Sequence, residues 1–350
     1  MVLQYNSIVL IPSDHCNIKC DHCYPDCGPS AKKSWDLELF KKCISDASKI
    51  EGLEKCIHFA GGEPLLYFDK VLEAAKHGKE LGFKISIVTN GFWAYSVDRA
   101  REQIRQLKAA GLYRVELSSD HFHQKFIPIE TIQNAIQILK QFEIPTILRV
   151  VTTKKHMIDE TLKKLRVEDL DGLSVSGSPM VPTGRALQVV TPDEYYLDCK
   201  GIIGSCSTLL NLTVRGDGNV SVCCAGSDTT PSLSIGNINN TSIDIIAKET
   251  EWNVLIKRLV HQGPSSFFYI LKRAGLAHKI KPSYTNICHA CSDLFNDDEV
   301  VLAVKKWAER KRLDTFRKIL KNLPISDYDN AHKILNSPIE TSLIQIKSKN

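Results

Sequence analysis

Residues 7–24 read SIVLIPSDHCNIKCDHCY, an apolar segment that runs directly into a loop with cysteines at Cys16, Cys20 and Cys23. The apolar start of this stretch predicts a short buried β-strand. Three thiolates can ligate three irons of a cubane iron–sulfur cluster, which leaves the fourth iron open to a small molecule. The stretch therefore predicts a strand that delivers a cluster-binding loop.

The composition points to metal rather than disulfides as the use of cysteine. The chain has 350 residues, of which 12 are cysteine, and it is 43% hydrophobic and 24% charged. We find no basic leader with a cleavage site, and no apolar run reaches the roughly 20 residues of a membrane span. We therefore expect a cytoplasmic protein with no membrane partner, in which clustered cysteines bind metal. A zinc site that recruits His22 or Cys27 is the weaker interpretation, because structural zinc takes four ligands in paired spacing.

Short β-rich segments alternate with amphipathic helical segments through the first half of the chain. The predicted strands cover residues 7–11, 56–60, 84–89, 113–118, 146–152 and 172–175, and the predicted helices cover residues 36–50, 68–81, 97–110, 131–142 and 157–165. This alternation predicts βα units around a parallel sheet, whose right-handed crossovers curl it toward a barrel. We expect an α/β fold, a partial (β/α)6 TIM-like barrel, with the active site at the carboxyl ends of the strands.

The pattern changes after about residue 185. Strand-like segments at 209–214 and 219–223 flank Gly216-Asp217-Gly218, which is typical of a hairpin turn. We expect residues 1–190 to form the barrel, residues 191–298 a small C-terminal α+β iron–sulfur domain, and residues 299–350 a helical tail. The net charge of +5 is concentrated in that tail, where a solvated basic face is the simplest interpretation. We see no nucleic-acid-binding motif and expect no nucleic-acid partner.

Polar residues follow several predicted strands, at the edge where the site should lie. Gly61-Gly62-Glu63-Pro64 follows the second strand; the glycines let the backbone approach a ligand, and Glu63 can accept a hydrogen bond from an ammonium group. The further candidates at strand ends are Asn90, Ser118, Asp120 and Arg149. An arginine inside an apolar strand needs a carboxylate partner, from a ligand or from the protein. His121 and His123 lie beside the same edge, for acid–base chemistry, substrate contact or loop packing.

A second group of cysteines lies in the later part of the chain. Cys288 and Cys291 form C-x-x-C, whereas Cys206 and Cys223 bracket the predicted hairpin. Four such ligands suit a second [4Fe–4S] cluster, and the spacing leaves zinc open as well. Cys224 follows Cys223 directly, and adjacent side chains on a strand point to opposite faces. Cys224 is therefore either a small buried apolar residue or a thiol that faces a substrate.

The CxxxCxxC loop with its trailing Tyr24, followed by the GGEP segment about forty residues later, resembles the signature of the radical S-adenosylmethionine (SAM) superfamily. The resemblance implies a [4Fe–4S] cluster held by three cysteines and SAM, with cleavage of SAM to a 5′-deoxyadenosyl radical that abstracts a substrate hydrogen atom. It implies SAM contacts from Tyr24, Gly61, Gly62, Glu63, Pro64, Asn90, Ser118, Asp120 and Arg149.

The second cysteine group resembles the reduced SPASM, or twitch, extension, which implies an auxiliary [4Fe–4S] cluster on Cys206, Cys223, Cys288 and Cys291. The segments TNGFW (89–93), SDHFH (119–123), PTGRA (182–186) and CHACSDLF (288–295), with the cysteine pair at 223–224, resemble radical SAM peptide epimerases, which convert L- to D-residues in ribosomally made peptides. That likeness implies Cys224 as the hydrogen donor, a peptide substrate, and a reductant such as flavodoxin or ferredoxin.

Three other interpretations stay open. Related enzymes with the same parts form thioether or carbon–carbon crosslinks by dehydrogenation, or epimerise sugars. A non-catalytic iron–sulfur or zinc protein is a further alternative, and the GGEP segment argues against it.

Overall fold

Strands and helices alternate along the first half of the chain. The computed structural model describes residues 3–31, 35–197, 202, 204–206, 210–224 and 230–321. The elements of the first half are β1 Ser7–Ile11, α1 Leu37–Ala47, β2 Cys56–Phe59, α2 Phe68–Glu80, β3 Lys84–Thr89, α3 Val97–Ala109, β4 Leu112–Ser118, α4 Ile129–Gln141, β5 Thr146–Thr152, α5 Ile158–Lys164, α6 Val167–Leu170 and β6 Ser174–Pro179.

Three short strands and six α-helices are the main elements of the described remainder of the chain. They are α7 Ala186–Val189, β7 Asn211–Arg215, β8 Asn219–Ser221, β9 Ser234–Asn237, α8 Ile243–Thr250, α9 Val254–Gln262, α10 Phe268–Arg273, α11 Ile287–Phe295 and α12 Asp298–Lys321. None of the helices within the described ranges is both long enough and apolar enough to cross a membrane.

One sheet joins all the strands, in the order β6-β5-β4-β3-β2-β1-β7-β8-β9. Neighbours from β6 through β1 to β7 are parallel, and β7–β8 and β8–β9 are antiparallel. The predicted α/β fold with a parallel sheet is confirmed. Because β7 pairs directly with β1, the later region continues the sheet of the first; the division into domains at residues 190 and 298 stays a prediction.

Residue patterns explain why these segments fold as they do. On β3, Ile85 and Ile87 are buried on the face that packs against helices, as the twofold period of a strand requires. On α4, Ile132, Ile136 and Leu139 recur at helical spacing and form its buried stripe. The core thus lies between the sheet and the helices, and the carboxyl ends of the strands stay available for a site.

Two local details differ from the sequence prediction. Strand β6 covers Ser174–Pro179 rather than residues 172–175, because Gly172 adopts a φ of 73° in the turn before the strand. Strand β8 ends at Ser221, so Cys223 and Cys224 lie beyond it. The expectation that these two cysteines alternate on a strand is therefore wrong: the backbone N–H groups of both Leu210 and Asn211 donate to the Val222 carbonyl, where the chain leaves the ladder.

Candidate active site

The loop after β1 closes on itself and gathers three thiols. The Cys16 N–H donates to the Gly28 carbonyl at 3.2 Å, and the Cys23 N–H donates to the Cys20 carbonyl at 3.2 Å. Cys16 and Cys23 are electrostatic neighbours of the Cys20 thiol, and Cys23 is also a neighbour of Cys16. The backbone of this loop therefore brings together the three cysteines that the spacing predicted as cluster ligands.

The thiol environments differ within the loop. Burial raises the pKa of Cys16 to about 11, and it raises the pKa of Cys20 well above its usual value. A hydrogen bond with Cys27 is the main reason why the pKa of Cys23 falls to about 7. Burial thus disfavours the thiolate forms of Cys16 and Cys20 in the absence of a cation. Metal ligation by such thiols is coupled to their deprotonation.

The GGEP segment packs directly against the cysteine loop. Gly62 donates to the Ser13 carbonyl at 3.0 Å, and a Cβ at Gly62 would lie 2.1 Å from the His15 carbonyl oxygen. Gly61 has a φ of 121°, which favours glycine. Only glycine lets these two backbone segments approach so closely. Pro64 is buried and begins the helical turn that follows.

The Glu63 side chain points into the protein. Its carboxylate is 1% exposed and accepts hydrogen bonds from the Leu65 N–H at 3.1 Å, the Thr89 hydroxyl at 2.9 Å and the Asn90 N–H at 2.8 Å. Burial raises its pKa to about 7 although these donors favour the charged form. The carboxylate thus ties the ends of β2 and β3 together, and its predicted contact with the SAM ammonium group stays a prediction.

Asn90 connects the end of β3 to the cysteine loop. Its amide nitrogen lies 3.7 Å from Cys16 Sγ and donates to Asn17 Oδ1 at 2.9 Å. Its amide oxygen accepts from the Phe92 N–H at 3.0 Å. The structure therefore places Asn90 beside a predicted cluster ligand.

Asp120, after β4, is the most enclosed acid of the site. It is fully buried; Oδ1 accepts from the Phe122 and His123 N–H groups, and Oδ2 accepts from the Val151 N–H at 3.1 Å. Burial alone would raise its pKa, but His123 and His22 hold the pKa below its usual range. His123 Nδ1 lies 2.9 Å from Oδ1. Asp120 thus links the ends of β4 and β5.

His22 lies inside the cysteine loop and beside this acid. Burial lowers its pKa to about 4, and its ring lies 4.8 Å from that of His123 between centroids. Its buried Nδ1 has no hydrogen-bond partner among the described residues. A neutral imidazole with one orphaned nitrogen thus faces the same enclosed space as the thiols.

Arg149 is paired within the barrel. Its guanidinium donates to Glu116 Oε2 at 2.8 Å and to the Ser176 hydroxyl at 2.8 Å, which joins β5 to both neighbouring strands. Ser118 faces Arg149 across the β4–β5 ladder. The carboxylate partner that Arg149 needed is therefore supplied by Glu116, which the sequence did not single out.

Two arginines from later in the chain hold the cysteine loop in place. Arg185 donates to the Cys20 carbonyl at 2.6 Å and to the Cys27 carbonyl at 2.5 Å. Arg215, at the end of β7, donates to the Asp14 carboxylate at 2.5 and 2.7 Å. Arg185 belongs to the PTGRA segment, so the sequence contained a signal for it, whereas Arg215 carried none.

The second thiol group comes together as well. On α11, Cys288 and Cys291 lie about one helical turn apart. A hydrogen bond with Cys206 is the main cause that raises the pKa of Cys288, and Cys223 and Cys291 are further electrostatic neighbours. The pKa of Cys291 is raised chiefly by burial, and the neighbouring thiols of Cys223 and Cys206 raise it further. The four predicted auxiliary ligands are thus neighbours in space.

Cys224 contacts the cysteine loop through its backbone. The Tyr24 hydroxyl donates a hydrogen bond to the Cys224 carbonyl. Tyr24 directly follows the predicted cluster ligand Cys23 in the chain, and Cys224 is half-buried. The turn after β8 therefore meets the loop after β1, about 200 residues apart in sequence.

Comparison with known proteins agrees with this geometry. The sequence model of the radical SAM superfamily matches residues 10–176, which include the cysteine loop, the GGEP segment and Asp120. These residues are a radical SAM domain. The chain is 23% identical over 327 residues to the "Putative peptide biosynthesis protein YydG" of Bacillus subtilis (strain 168), covering 89% of this chain and 99% of that protein. It is 26% identical over 192 residues to the AdoMet-dependent heme synthase of Methanosarcina barkeri, covering 51% of this chain and 52% of that protein.

Solved structures of radical SAM enzymes share the fold. The structure described as native anSMEcpe with bound AdoMet aligns with a TM-score of 0.53 and 16% identity, over 88% of this chain and 98% of that one. The structure described as native anSMEcpe with bound AdoMet and Cp18Cys peptide aligns with a TM-score of 0.52 and 16% identity, over 89% of this chain and 99% of that one. The predicted TIM-like partial barrel is confirmed by this likeness.

The radical SAM family implies a [4Fe–4S] cluster and SAM, and the residues of this domain fit them. The loop offers three clustered thiols, of which Cys16 and Cys20 are buried and Cys23 is half-buried, and His22 adds an orphaned buried nitrogen beside them. Glycines at 61 and 62 let the GGEP segment pack against the backbone of that loop, at the same edge of the sheet. Residues 10–176 are thus a radical SAM domain whose donor set suits iron.

Proposed function

We propose that this radical SAM enzyme epimerises L-residues to D-residues in a ribosomally made peptide, with the Cys224 thiol as hydrogen donor. The similarity to a relative described as a peptide biosynthesis protein, over 89% of this chain, supports a peptide substrate. A solved structure with the same fold binds a peptide beside AdoMet. The reaction itself rests on Cys224.

The observation that carries the proposal is the hydrogen bond from Tyr24 to the Cys224 carbonyl. It joins the residue after Cys23 to the proposed donor, so a substrate carbon held near the cysteine loop would also be near that thiol. Cys224 is half-buried, whereas Cys223 is buried and is an electrostatic neighbour of Cys288 and Cys291. The two adjacent cysteines would then have separate roles: Cys223 as a metal ligand and Cys224 as a donor.

Other residues of the chain would position the reactants. Cys16, Cys20 and Cys23 would hold the cluster, which with SAM supplies a 5′-deoxyadenosyl radical when both are bound. We propose that SAM is contacted by Tyr24, Gly61, Gly62, Glu63, Pro64, Asn90, Ser118, Asp120 and Arg149. When SAM binds, the Arg149 guanidinium would donate to the carboxylate of SAM, either in place of Glu116 or together with it, because both carboxylates compete for the same cation.

Hydrogen and electron balance fixes what the thiol must do. One Cα–H bond of the peptide breaks and its hydrogen atom leaves with 5′-deoxyadenosine. The S–H bond of Cys224 is weaker than most C–H bonds, so it can return a hydrogen atom to the opposite face of the carbon. The sulfur is left short of one electron and one proton. A flavodoxin- or ferredoxin-type reductant would supply the electron, by way of an auxiliary [4Fe–4S] cluster that Cys206, Cys223, Cys288 and Cys291 would hold, and water would supply the proton.

The test is a reaction in heavy water with SAM, reductant and a candidate precursor peptide. Each epimerised residue should gain a deuterium from the exchanged thiol, and chiral amino-acid analysis should find a D-residue. Cys224→Ala should still cleave SAM but give no D-residue. Cys43→Ala is the matched control, because Cys43 is a buried cysteine of α1 and should leave both readouts unchanged. Normal epimerisation by Cys224→Ala would end the donor assignment.

The main alternative is dehydrogenative crosslinking of a peptide. The second thiol group favours it as much as it favours epimerisation, since an auxiliary cluster can accept an electron from a substrate. The product would then lose a pair of hydrogen atoms instead of exchanging one. Mass spectrometry of the same reaction separates the two outcomes.

A further inference from the structure

Two histidines and a glutamate form a compact cluster on the rim of the barrel. His121 follows β4, His156 follows β5, and Glu160 lies in the first turn of α5. The two imidazole rings stack with centroids 3.4 Å apart and an interplanar angle of 13°. His156 Nδ1 lies 3.2 Å from Glu160 Oε2. One ligand atom from each of the three residues lies within 4.8 Å of the others.

The surroundings of His121 favour its neutral imidazole, which has a lone pair to offer. Burial lowers the pKa of His121, and the neighbouring His156 lowers it further. Two rings in this contact resist being charged together. Lys125 and Lys164 add positive potential, but Lys125 pairs with Asp21 at 2.6 Å and Lys164 donates to Gln124 at 2.7 Å. The one acid in the cluster, Glu160, supplies a negative charge for a cation.

We propose that His121, His156 and Glu160 bind a divalent transition-metal ion of the zinc class. Two imidazoles with one carboxylate are an established ligand set for zinc, with water in the fourth position. Tetrahedral ligands at about 2.0–2.1 Å from zinc lie about 3.4 Å from one another. His156 Nδ1 and Glu160 Oε2 are already 3.2 Å apart, and ligand atoms within 4.8 Å of one another need to close by at most about 1.4 Å, with the rings tilting apart. All three residues are half-buried, which leaves both the side-chain freedom and the access to water that this needs.

Packing of aromatic rings is the competing explanation. Phe122 meets His121 edge-on at 5.3 Å and His156 at 5.8 Å, so the three rings form a small cluster. Ring packing and the His156–Glu160 hydrogen bond account for the pairwise contacts. They do not require one ligand atom of each of the three residues to lie within 4.8 Å of the others, as a metal site does. A metal would also join the loop after β4 to α5. The loop after β4 is already linked to β5, where Asp120 accepts from the Val151 N–H, so the ion would stiffen the rim that carries Asp120.

The test is zinc binding by the anaerobic holoenzyme, with its iron–sulfur clusters reconstituted so that the cysteines are occupied. One equivalent of zinc should survive gel filtration, and zinc-edge X-ray absorption should give nitrogen and oxygen at about 2.0–2.1 Å with imidazole scattering. His121→Asn and Glu160→Gln should each weaken zinc binding at least about tenfold, as even outer-shell changes can do. His261→Asn removes an exposed histidine at the end of α9 and should change nothing.

Three results would overturn the site. Sulfur at about 2.3 Å would mean that zinc sits on cysteines. Retention of a full equivalent by His121→Asn would exclude its role as a ligand. Absence of retained zinc in the unaltered protein would leave the ring cluster as packing. Iron content and circular dichroism of each variant show whether it has folded. Because no substrate is needed, the outcome is independent of the proposed epimerisation.

Discussion

The two thiol groups of this protein are built in opposite ways. Cys16, Cys20 and Cys23 come from one loop after β1, whose own backbone hydrogen bonds bring them together. The second group draws on Cys206, on the turn after β8 and on α11, so its members are up to 85 residues apart. The first site needs little beyond its loop; the second needs the sheet edge and α11 docked in the right place.

This difference determines how much of each site can be predicted from the sequence. When all the ligands lie in one loop, their spacing indicates the kind of metal centre, so three cysteines suffice to predict a cluster with an open iron. A dispersed site has spacing that is compatible with several metals, and only the fold shows that the four thiols are neighbours. We therefore expect that a cysteine variant in one thiol group can lose its metal while the other group keeps its own, because the two predicted ligand sets share no residue.

The largest effect should come from Cys20→Ala. It removes one of the three predicted ligands, so SAM cleavage to 5′-deoxyadenosine should fall to background, and the protein should lose about four irons per chain. Iron analysis and chromatographic detection of 5′-deoxyadenosine measure both. Cys27→Ala is a sharp control: its thiol is in the same loop and hydrogen-bonds to Cys23, yet it should keep the cluster and the activity. If Cys27→Ala fails as Cys20→Ala does, the loop has four ligands.

The next effect should come from Cys291→Ala. This change removes a predicted ligand on α11, so about four irons per chain should be lost while SAM cleavage without peptide continues. Mössbauer spectra of the two variants should show complementary clusters. Retention of all the iron, with zinc present in the unaltered protein, would identify the second site as zinc. Loss of SAM cleavage would show that the two sites are not independent.

The parts of the fold that sequence could predict are those with short-range patterns. The strands around Ile85 and Leu148 and the stripe of α4 follow from periodicity, and the cysteine loop follows from spacing. Their boundaries agree to within a few residues because each is set by nearby turn and capping residues. Asp36, for example, accepts from the Leu39 N–H at the start of α1.

Residues whose partners are distant in sequence escaped prediction. Glu116 meets Arg149 only when β4 and β5 are paired, and Arg215 meets Asp14 only because β7 adds to β1. Nothing around Arg215 in the sequence indicates an acid 201 positions earlier. The turn that carries Cys224 was expected to be a strand, because Val220 and Val222 continue its apolar pattern, whereas the ladder ends at Ser221.

The smallest of the expected effects tests how far even the local site depends on the rest of the chain. Arg185 is 6% exposed and donates to the carbonyls of Cys20 and Cys27, so Arg185→Gln should leave buried acceptors unmatched. We expect the free energy of unfolding to fall by about 1.5–3 kcal/mol, the usual range for hydrogen bonds to a charged group. Urea unfolding of the anaerobic holoenzyme, followed by circular dichroism, measures it.

The matched control is Arg101→Gln, which removes an exposed arginine whose ion pair with Asp98 lies on the surface of α3. Its effect should stay within about 0.5 kcal/mol, because exposed pairs contribute little. In Arg185→Gln the backbone N–H still donates to the Cys23 carbonyl, so the loop should weaken rather than detach, and its cluster should be lost faster on dilution. Equal stability of the two variants would mean that the cysteine loop keeps its shape without Arg185. The loop would then depend only on its own hydrogen bonds, unlike the second thiol group, which depends on distant segments of the chain.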